Sequence, residues 1–416
     1  MSIPVEFTAE AVAAEAEAAS SAGVELFASF LASGEPYRSL LRHNPWLKPP
    51  RNDEALRWGE GAYYDTTVAA RHPHWHEETL PRPTRALVQL RRDFARWGYC
   101  LIEDGLSHAQ CETLRVRVED QARAERQLGI AHVSAAQQHV WSLINKGDVF
   151  PRCMEHDPAA VQAGPLIERF LLDTLGPEWN HFSFLANISF PDCHPQAMHQ
   201  DQSFLAPFQF EEGPALVNTI YVLQDVDEVN GGTLIVPGSH RSNGKGAEAY
   251  GEIKRPINLD APAGTIMLMD GRVLHGGAVN RSSTLRSIIT NSTVKPWVKQ
   301  QESFLLTVAP EVLARASDKL LHRLGFQATA VRNMVEGFGY AGSGRAADPN
   351  GALQHVRRTI AEGSHAWVRE LAPNAEGPPS TLQTLQQEIE TRRGRSHEAL
   401  LARIEAGTQT SEGQAR

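Results

Sequence analysis

The sequence lacks a basic excess, a long apolar run and a basic, apolar leader. It holds 40 Lys and Arg against 49 Asp and Glu, a net charge of −9, whereas nucleic-acid-binding proteins usually carry a positive patch. No apolar run reaches the roughly 18 residues that a membrane-spanning helix needs. The first residues, MSIPVEFTAEAVAAEAEAASS, do not resemble a signal or transit peptide. We therefore expect a cytoplasmic protein with no nucleic-acid partner and no membrane partner.

Cysteine is also scarce. The four cysteines lie at positions 100, 111, 153 and 193, with no CxxC pair among them. A disulfide framework is improbable in a long chain with so few cysteines, so we expect reduced, buried thiols. Apolar residues make up 41% and charged residues 21% of the chain, which is typical of a globular protein with a full core.

The predicted secondary structure changes twice along the chain, from a helical N-terminal part to an all-β middle and then to a helical C-terminal part. We predict an N-terminal helical and irregular arm over 1–85, a core with leading helices over 86–300, a C-terminal helical extension over 301–371, and a linker with a tail helix over 372–416, its end disordered. The tail helix is expected to serve packing or homodimer formation.

Two helices are predicted ahead of the β region. They cover residues 83–97 and 107–127, and Ser107 and Cys111 flank an N-terminal cap of the second. The segment GYCLIEDG between them predicts a short strand and a turn.

The middle of the chain alternates short β-branched and aromatic runs with Gly, Pro, Asn and Asp turns. The runs are HFSFLANISF, ALVNTIYVLQDV, TLIVPGSH, GTIMLMD and RSIITNSTV. Several short strands at this spacing predict a β-sandwich or a β-barrel.

The segment QAMHQDQ holds the first candidate for chemistry. In a strand, His199 and Asp201 would point to the same face and could present an imidazole and a carboxylate to one cation. His275, in a Gly-rich turn after the strand GTIMLMD, is a candidate third ligand. Two histidines and one carboxylate with open positions are typical of non-haem Fe(II) oxygenases. Zinc accepts the same ligands, so the triad alone does not name the metal.

Arg286 stands at the start of the strand RSIITNSTV. An arginine that enters a barrel interior needs an anionic partner, because an unpaired buried charge is costly. A dicarboxylate that chelates iron at one end could reach Arg286 with its other carboxylate, as 2-oxoglutarate would. Taken alone, Arg286 could equally be a surface residue at a strand edge.

Together these segments resemble the phytanoyl-CoA dioxygenase family. The resemblance covers about 93–294 and rests on HxD, on NGGTLIVPGSH at 230–240 and on DGRVLHGG..NRS....R at 270–286. It implies a mainly β core with α flanks: a double-stranded β-helix, jelly-roll or cupin-like, with helical N- and C-terminal extensions.

The same resemblance implies the chemistry and its residues. His199, Asp201 and His275 match the Fe(II) ligands, and Arg286 matches the arginine that pairs with the distal carboxylate of 2-oxoglutarate. Gln196 and Thr233 match further contacts to 2-oxoglutarate. The implied reaction uses O₂ and releases succinate and CO₂ while a small organic substrate, such as a secondary metabolite, is hydroxylated or otherwise oxidised. Halogenating relatives lack the carboxylate ligand, so Asp201 favours hydroxylation.

Four residues are candidates for the substrate pocket: His139, Trp141, Phe204 and Tyr221. Asn145 and Lys146, in the same segment as His139, are further candidates. In the family such a segment borders the active site, and Tyr221 stands where relatives often carry Trp. Each of these positions could instead belong to an ordinary buried loop or to the core.

Two other classes of function stay open from the sequence. One is a catalytically silent barrel that binds metal or 2-oxoglutarate, which would be expected to lose one of the four key residues. The other is a metal-dependent hydrolase or isomerase on a cupin-like barrel, in which Arg286 and Gln196 would have no required role.

Overall fold

The computed structural model describes residues 78–326, apart from residues 135, 192, 194 and 197 and the ranges 206–212 and 243–255. Most of the predicted N-terminal arm, the end of the predicted helical extension and the predicted tail helix lie outside these residues. The predicted domain boundaries therefore stay predictions.

Two antiparallel sheets and seven α-helices make up the described fold. The helices are α1 (Leu87–Trp97), α2 (His108–Leu128), α3 (Val149–Met154), α4 (Gly164–Leu175), α5 (Phe304–Thr307), α6 (Pro310–Arg315) and α7 (Asp318–Arg323). The strands are β1 (Tyr99–Ile102), β2 (His132–Val133), β3 (Gln138–Val140), β4 (Asn180–Ser189), β5 (Leu216–Val222), β6 (Thr233–Ile235), β7 (Ile257–Asn258), β8 (Ile266–Asp270), β9 (His275–Gly277) and β10 (Arg286–Val294). Short 3₁₀ turns cover Leu143–Asn145, Asp201–Leu205 and Ser239–Ser242.

The order of strands is that of a double-stranded β-helix. The large sheet runs β1-β8-β5-β10-β4-β3-β2 and the small sheet runs β7-β6-β9, with His199 added beside β9 by an isolated antiparallel bridge. From β4 onward the chain passes to the small sheet at His199, back to β5, across to β6 and β7, back to β8, across to β9 and back to β10. The predicted mainly β core with α flanks is therefore confirmed.

Local sequence signals explain where the leading helices begin and end. Ser107 caps α2, its hydroxyl accepting from the Gln110 backbone while the Gln110 side chain accepts from the Ser107 backbone. Helix α1 ends at Gly98, whose φ of 81° favours glycine. A side chain at Gly98 would also collide with Val273 and His240.

The large sheet separates two apolar layers. Its outer face packs against the helices, and Val217 and Tyr221 of β5 belong to that layer. Its inner face turns towards the small sheet, where Ile220 of β5 meets Met267 and Ile288 in the second layer. Alternation along each strand therefore decides whether a side chain faces the helices or the barrel interior.

All four cysteines are free and buried, which confirms the prediction made from their spacing. The residues after β10 return to the outer face of the large sheet, where Phe304, Leu313 and Leu320 join the helical layer. The described part of the predicted C-terminal extension is therefore helical and shares the main core. No helix of the described residues is both long and apolar enough to cross a membrane.

A buried carboxylate ties this return segment to the sheet. Glu302 accepts hydrogen bonds from the Phe184 backbone at 2.6 Å and from the Ser142 hydroxyl at 2.9 Å. Burial raises the pKa of Glu302 to about 7 from the ordinary 4.5, against the smaller lowering effect of these hydrogen bonds.

The raised pKa of Glu302 predicts a pH-dependent stability. Between pH 4.5 and 7 the unfolded chain has released this proton while the folded chain still holds it, so the free energy of unfolding falls as the pH rises. The Glu302 contribution to this fall is at most about 3 kcal/mol. Urea unfolding at pH 5 and pH 8 should show a smaller fall for Glu302→Gln than for the wild type. Glu311→Gln, the same change on an exposed helix position, should keep the wild-type fall; equal falls in all three proteins would contradict the assignment.

Candidate functional site

Backbone pairing brings two of the predicted ligands together in the small sheet. The His199 N–H donates to the His275 carbonyl at 2.8 Å, and the His275 N–H donates to the His199 carbonyl at 2.9 Å. The two imidazole rings consequently lie 4.4 Å apart between centroids, inclined at 45°. The first strand of the pair is a single bridge at His199, so the expectation that His199 and Asp201 share a strand is wrong. The expectation of a turn at His275 is also wrong, because His275 begins β9.

Asp201 completes the cluster from the first position of a 3₁₀ turn. Its Oδ1 atom lies 3.3 Å from the Nε2 atom of His199, and its Oδ2 atom lies 3.4 Å from the Nε2 atom of His275. One ligand atom from each of the three residues lies within 4.8 Å of the others, a spacing that one metal ion can bridge. The turn after His199 thus places Asp201 beside both histidines, a position that strand alternation was expected to give.

The local hydrogen bonds and charges favour the ligating protonation states. The Val273 carbonyl lies 3.0 Å from the Nδ1 atom of His275 and accepts a hydrogen bond from the proton on that nitrogen. The Nε2 atom then carries the lone pair and faces Asp201. Burial lowers the pKa of His275, although the Asp201 carboxylate opposes this. Burial alone would raise the pKa of Asp201, but His275, His199 and an amide together hold it below its ordinary value.

The amide on Asp201 belongs to Asn218, which the sequence analysis missed. Its Nδ2 donates to the Asp201 Oδ2 atom at 2.6 Å, and its Oδ1 accepts from the Ser292 hydroxyl at 2.6 Å. Asn218 is fully buried on the inner face of β5. A single amide within the apolar run ALVNTIYV was the available signal, because a buried polar side chain needs partners.

Arg286 begins β10 as predicted, but it is not a surface residue, since only 2% of it is exposed. Its Nε atom is buried with no hydrogen-bond partner among the described residues. Burial lowers its pKa to about 10, so the guanidinium remains charged at neutral pH. Within the described part of the chain no carboxylate pairs with this charge, and a buried cation of this kind calls for an anionic ligand.

Gly277 provides open space beside Arg286. A Cβ atom built on Gly277 would lie 3.5 Å from the Gln196 Oε1 atom and 3.6 Å from the Arg286 Nη2 atom. Gln196 is held there because its Oε1 atom accepts from the Gly277 N–H at 3.1 Å. Gly277 follows His275 by two positions on β9, so the space beside Arg286 and the histidine ligand share one face of the strand.

Thr233 joins the same group from β6. It stands directly opposite Gly277 in the register of the small sheet, and directly opposed residues turn their side chains to the same face. The structure therefore brings Gln196, Thr233 and Arg286 around Gly277, next to the cluster of His199, Asp201 and His275.

The four predicted substrate residues separate into three groups. His139 lies on β3 opposite Asn187, and the pKa of His139 is lowered to about 4 by burial and by the nearby His132 and His199. The ring of Trp141 stacks on His139, with centroids 5.5 Å apart. These two residues border the site. Phe204 lies in the 3₁₀ turn that begins at Asp201, and its side chain is outside the described part of the chain.

The expectation that Tyr221 belongs to the substrate pocket is wrong. Tyr221 lies on the helix-facing side of β5 and packs in the outer apolar layer. Asn218, three positions earlier on the strand, points to the opposite face and into the interior. Burial raises the pKa of the Tyr221 phenol, with a further contribution from Cys153 of α3. The structure therefore does not bring Tyr221 to the site.

The expectation that Asn145 and Lys146 line the substrate pocket is also wrong. Asn145 donates to the Thr307 carbonyl and accepts from the Ala309 N–H, and so it holds the segment after α5. Lys146 forms a buried ion pair with Glu125 of α2. Both side chains support the helical layer and neither lines the interior.

Comparison with known proteins gives the family. Residues 94–288 match the family model described as phytanoyl-CoA dioxygenase (PhyH). The uncharacterised protein Rv1501 of Mycobacterium tuberculosis is 24% identical over 244 residues, which cover 58% of this chain and 86% of that protein. The multifunctional dioxygenase prhA of Penicillium brasilianum is 27% identical over 150 residues, covering 33% of this chain and 49% of that protein.

The chain is also similar to a solved structure. It is the non-haem alpha-ketoglutarate-dependent carbocyclase SnoK from nogalamycin biosynthesis, at 17% identity and a TM-score of 0.41, covering 52% of this chain and 88% of that one.

The matched region runs from α1 into β10 and contains the two histidines, the aspartate and the arginine described above. Residues 94–288 of this chain thus match the phytanoyl-CoA dioxygenase family.

Proposed function

We propose that this protein is an Fe(II)- and 2-oxoglutarate-dependent oxygenase that hydroxylates or otherwise oxidises a small organic molecule. One observation carries the proposal: the cluster of His199, Asp201 and His275 lies next to the open space at Gly277, which borders a buried arginine, Arg286, that lacks an anionic partner in the described residues. A metal site and an anion site side by side suit a co-substrate that chelates iron and carries a second carboxylate.

The donor set fits Fe(II). Two neutral imidazoles and one carboxylate bind on one side of an ion and leave positions for other ligands. Asn218 and the Val273 carbonyl orient Asp201 and His275 respectively, which sets the direction of the donor atoms before any metal binds. When bound, iron and 2-oxoglutarate supply the oxidising equivalent from O₂, with release of succinate and CO₂.

The residues around Gly277 fit 2-oxoglutarate. Arg286 would pair with the distal carboxylate, since a planar guanidinium matches a carboxylate with two parallel hydrogen bonds. The missing side chain of Gly277 leaves room beside Arg286 Nη2. Gln196 and Thr233 would flank the co-substrate, and the apolar layer of Ile220, Met267 and Ile288 would keep water from the rest of the interior.

The absorption spectrum provides the first test of this function. Anaerobic protein should develop a visible charge-transfer band only when Fe(II) and 2-oxoglutarate are both present, and His275→Ala should lose it because one metal ligand is gone. A band that survives in His275→Ala would contradict the triad. Metal binding without a band would instead favour the hydrolase or isomerase, and absence of metal binding would favour the silent barrel.

Arg286→Ala separates the two halves of the site. The variant should bind Fe(II) as the wild type does, while its affinity for 2-oxoglutarate falls by about 100-fold, because a buried charge-assisted pair is lost. Titration of the band with 2-oxoglutarate measures this affinity. Arg241→Ala, which removes an exposed arginine, serves as the control and should leave the affinity unchanged. An equal affinity in Arg286→Ala would remove the proposed role of Arg286.

Asn218→Leu tests the support of Asp201. Loss of the amide that donates to Asp201 should weaken Fe(II) binding by about 10- to 100-fold while the fold is retained. Anaerobic calorimetry with Fe(II) measures the effect. Thr219→Val, a change at the next residue on the helix-facing side of β5, should keep wild-type metal affinity. An unchanged affinity in Asn218→Leu would show that Asp201 does not depend on this hydrogen bond.

A further inference from the structure

Two polar atoms on the inner wall of the large sheet lack partners among the described residues. They are the Nδ1 atom of His139 on β3 and the Oδ1 atom of Asn187 on β4, both buried. These two residues stand directly opposite each other in the sheet register. A buried polar atom without a partner is costly, so two on neighbouring residues point to a ligand that supplies the missing hydrogen bonds.

The neighbours of His139 define what its free nitrogen offers. The side-chain amide nitrogen of Gln137, Nε2, lies 3.1 Å from the His139 Nε2 atom and donates to it. Because an amide nitrogen can only donate, the His139 ring accepts at Nε2 and is neutral. Its single proton therefore stands on Nδ1, which becomes an unmatched hydrogen-bond donor.

Asn187 offers the opposite polarity. Its Nδ2 atom donates to the Thr290 hydroxyl at 3.3 Å, which orients the amide and leaves Oδ1 as an unmatched acceptor. His139 and Asn187 thus present one donor and one acceptor side by side.

This pair lies on the wall beside the proposed reaction site. Asn187 is opposite Ile288 in the register with β10, two positions beyond Arg286 on the same inner face. His139 stands opposite Asn187 in the register, so its side chain turns to the same inner face. The stacked ring of Trp141 adds flat apolar surface next to His139.

We propose that His139 and Asn187 recognise the substrate through a neutral group that both donates and accepts a hydrogen bond, a carboxamide or a hydroxyl carried on an apolar frame. A carboxylate suits this pair less well, because it could accept from His139 but has no proton to donate to the Asn187 oxygen. The inference rests on the proposed function, since the substrate must bind beside the metal and the co-substrate.

The test compares two probes of nearly the same shape on the anaerobic protein loaded with Fe(II) and 2-oxoglutarate. The probe 2-naphthamide donates and accepts, whereas methyl 2-naphthoate only accepts. Calorimetry should show about tenfold tighter binding of the amide to the wild type, because the ester leaves the Asn187 acceptor unmatched. His139→Phe and Asn187→Leu should each bring the ratio of the two affinities close to one.

Thr219→Val is the matched control for these variants. The Thr219 hydroxyl is also buried without a partner among the described residues, but it lies on the helix-facing side of β5, so its removal should leave the preference for the amide intact. Asn187→Ser provides a smaller change should the leucine disturb the fold. The absence of a preference in the wild type, or a preference that survives both His139→Phe and Asn187→Leu, overturns the inference.

The charge-transfer band, recorded on the same samples, separates this inference from the proposed function. A normal band with no preference between the probes removes only the substrate pair. A missing band in the wild type removes the proposed function itself. If His139→Phe and Asn187→Leu lower the affinity for 2-oxoglutarate as Arg286→Ala is expected to, the pair binds the co-substrate and its assignment to the substrate is wrong.

Discussion

The pairing of His199 with His275 is the constraint on which the rest of the site depends. Two backbone hydrogen bonds join residues that lie far apart in the chain, and they hold the backbones of both histidines side by side. Asp201 reaches the same point because a tight turn follows at once. The cost of arranging three ligands around one ion is therefore met by the folding of the small sheet, and the metal need not organise it.

The barrel interior is divided between an apolar part and a polar part. Strands β1, β8 and β5 contribute apolar side chains that meet the small sheet, among them Leu101, Met269 and Ile220. Strands β3, β4 and β10 contribute polar ones, such as His139, Asn187 and Arg286, at inward positions. This division gives the interior a water-excluding wall on one side and hydrogen-bonding groups on the other, an arrangement typical of small-molecule sites.

The polar part of the interior holds both neutral and charged side chains. Burial keeps the imidazoles of His139 and His275 neutral, while the carboxylate of Asp201 and the guanidinium of Arg286 stay charged. The Asp201 carboxylate can help to bind a cation, and Arg286, which has no carboxylate partner among the described residues, can bind an anion. Elsewhere in the described chain, buried charges such as Lys146 and Glu125 pair with each other under the sheet. Arg286, whose charge has no carboxylate partner within the described ranges, thus distinguishes the site from the supporting core.

The sequence by itself determined the kinds of element and the residues with unusual chemistry. Short β-branched runs between turns predicted the strands, and the triad and Arg286 were identified because their segments resemble those of the phytanoyl-CoA dioxygenase family. The tertiary structure alone decided which face of each strand is inside. Alternation with a period of two gives two equivalent faces, so Tyr221 was assigned to the interior and Asn218 and Asn187 were overlooked. Only the packing of helices against one side of the large sheet makes the faces different, and that packing depends on contacts between distant segments.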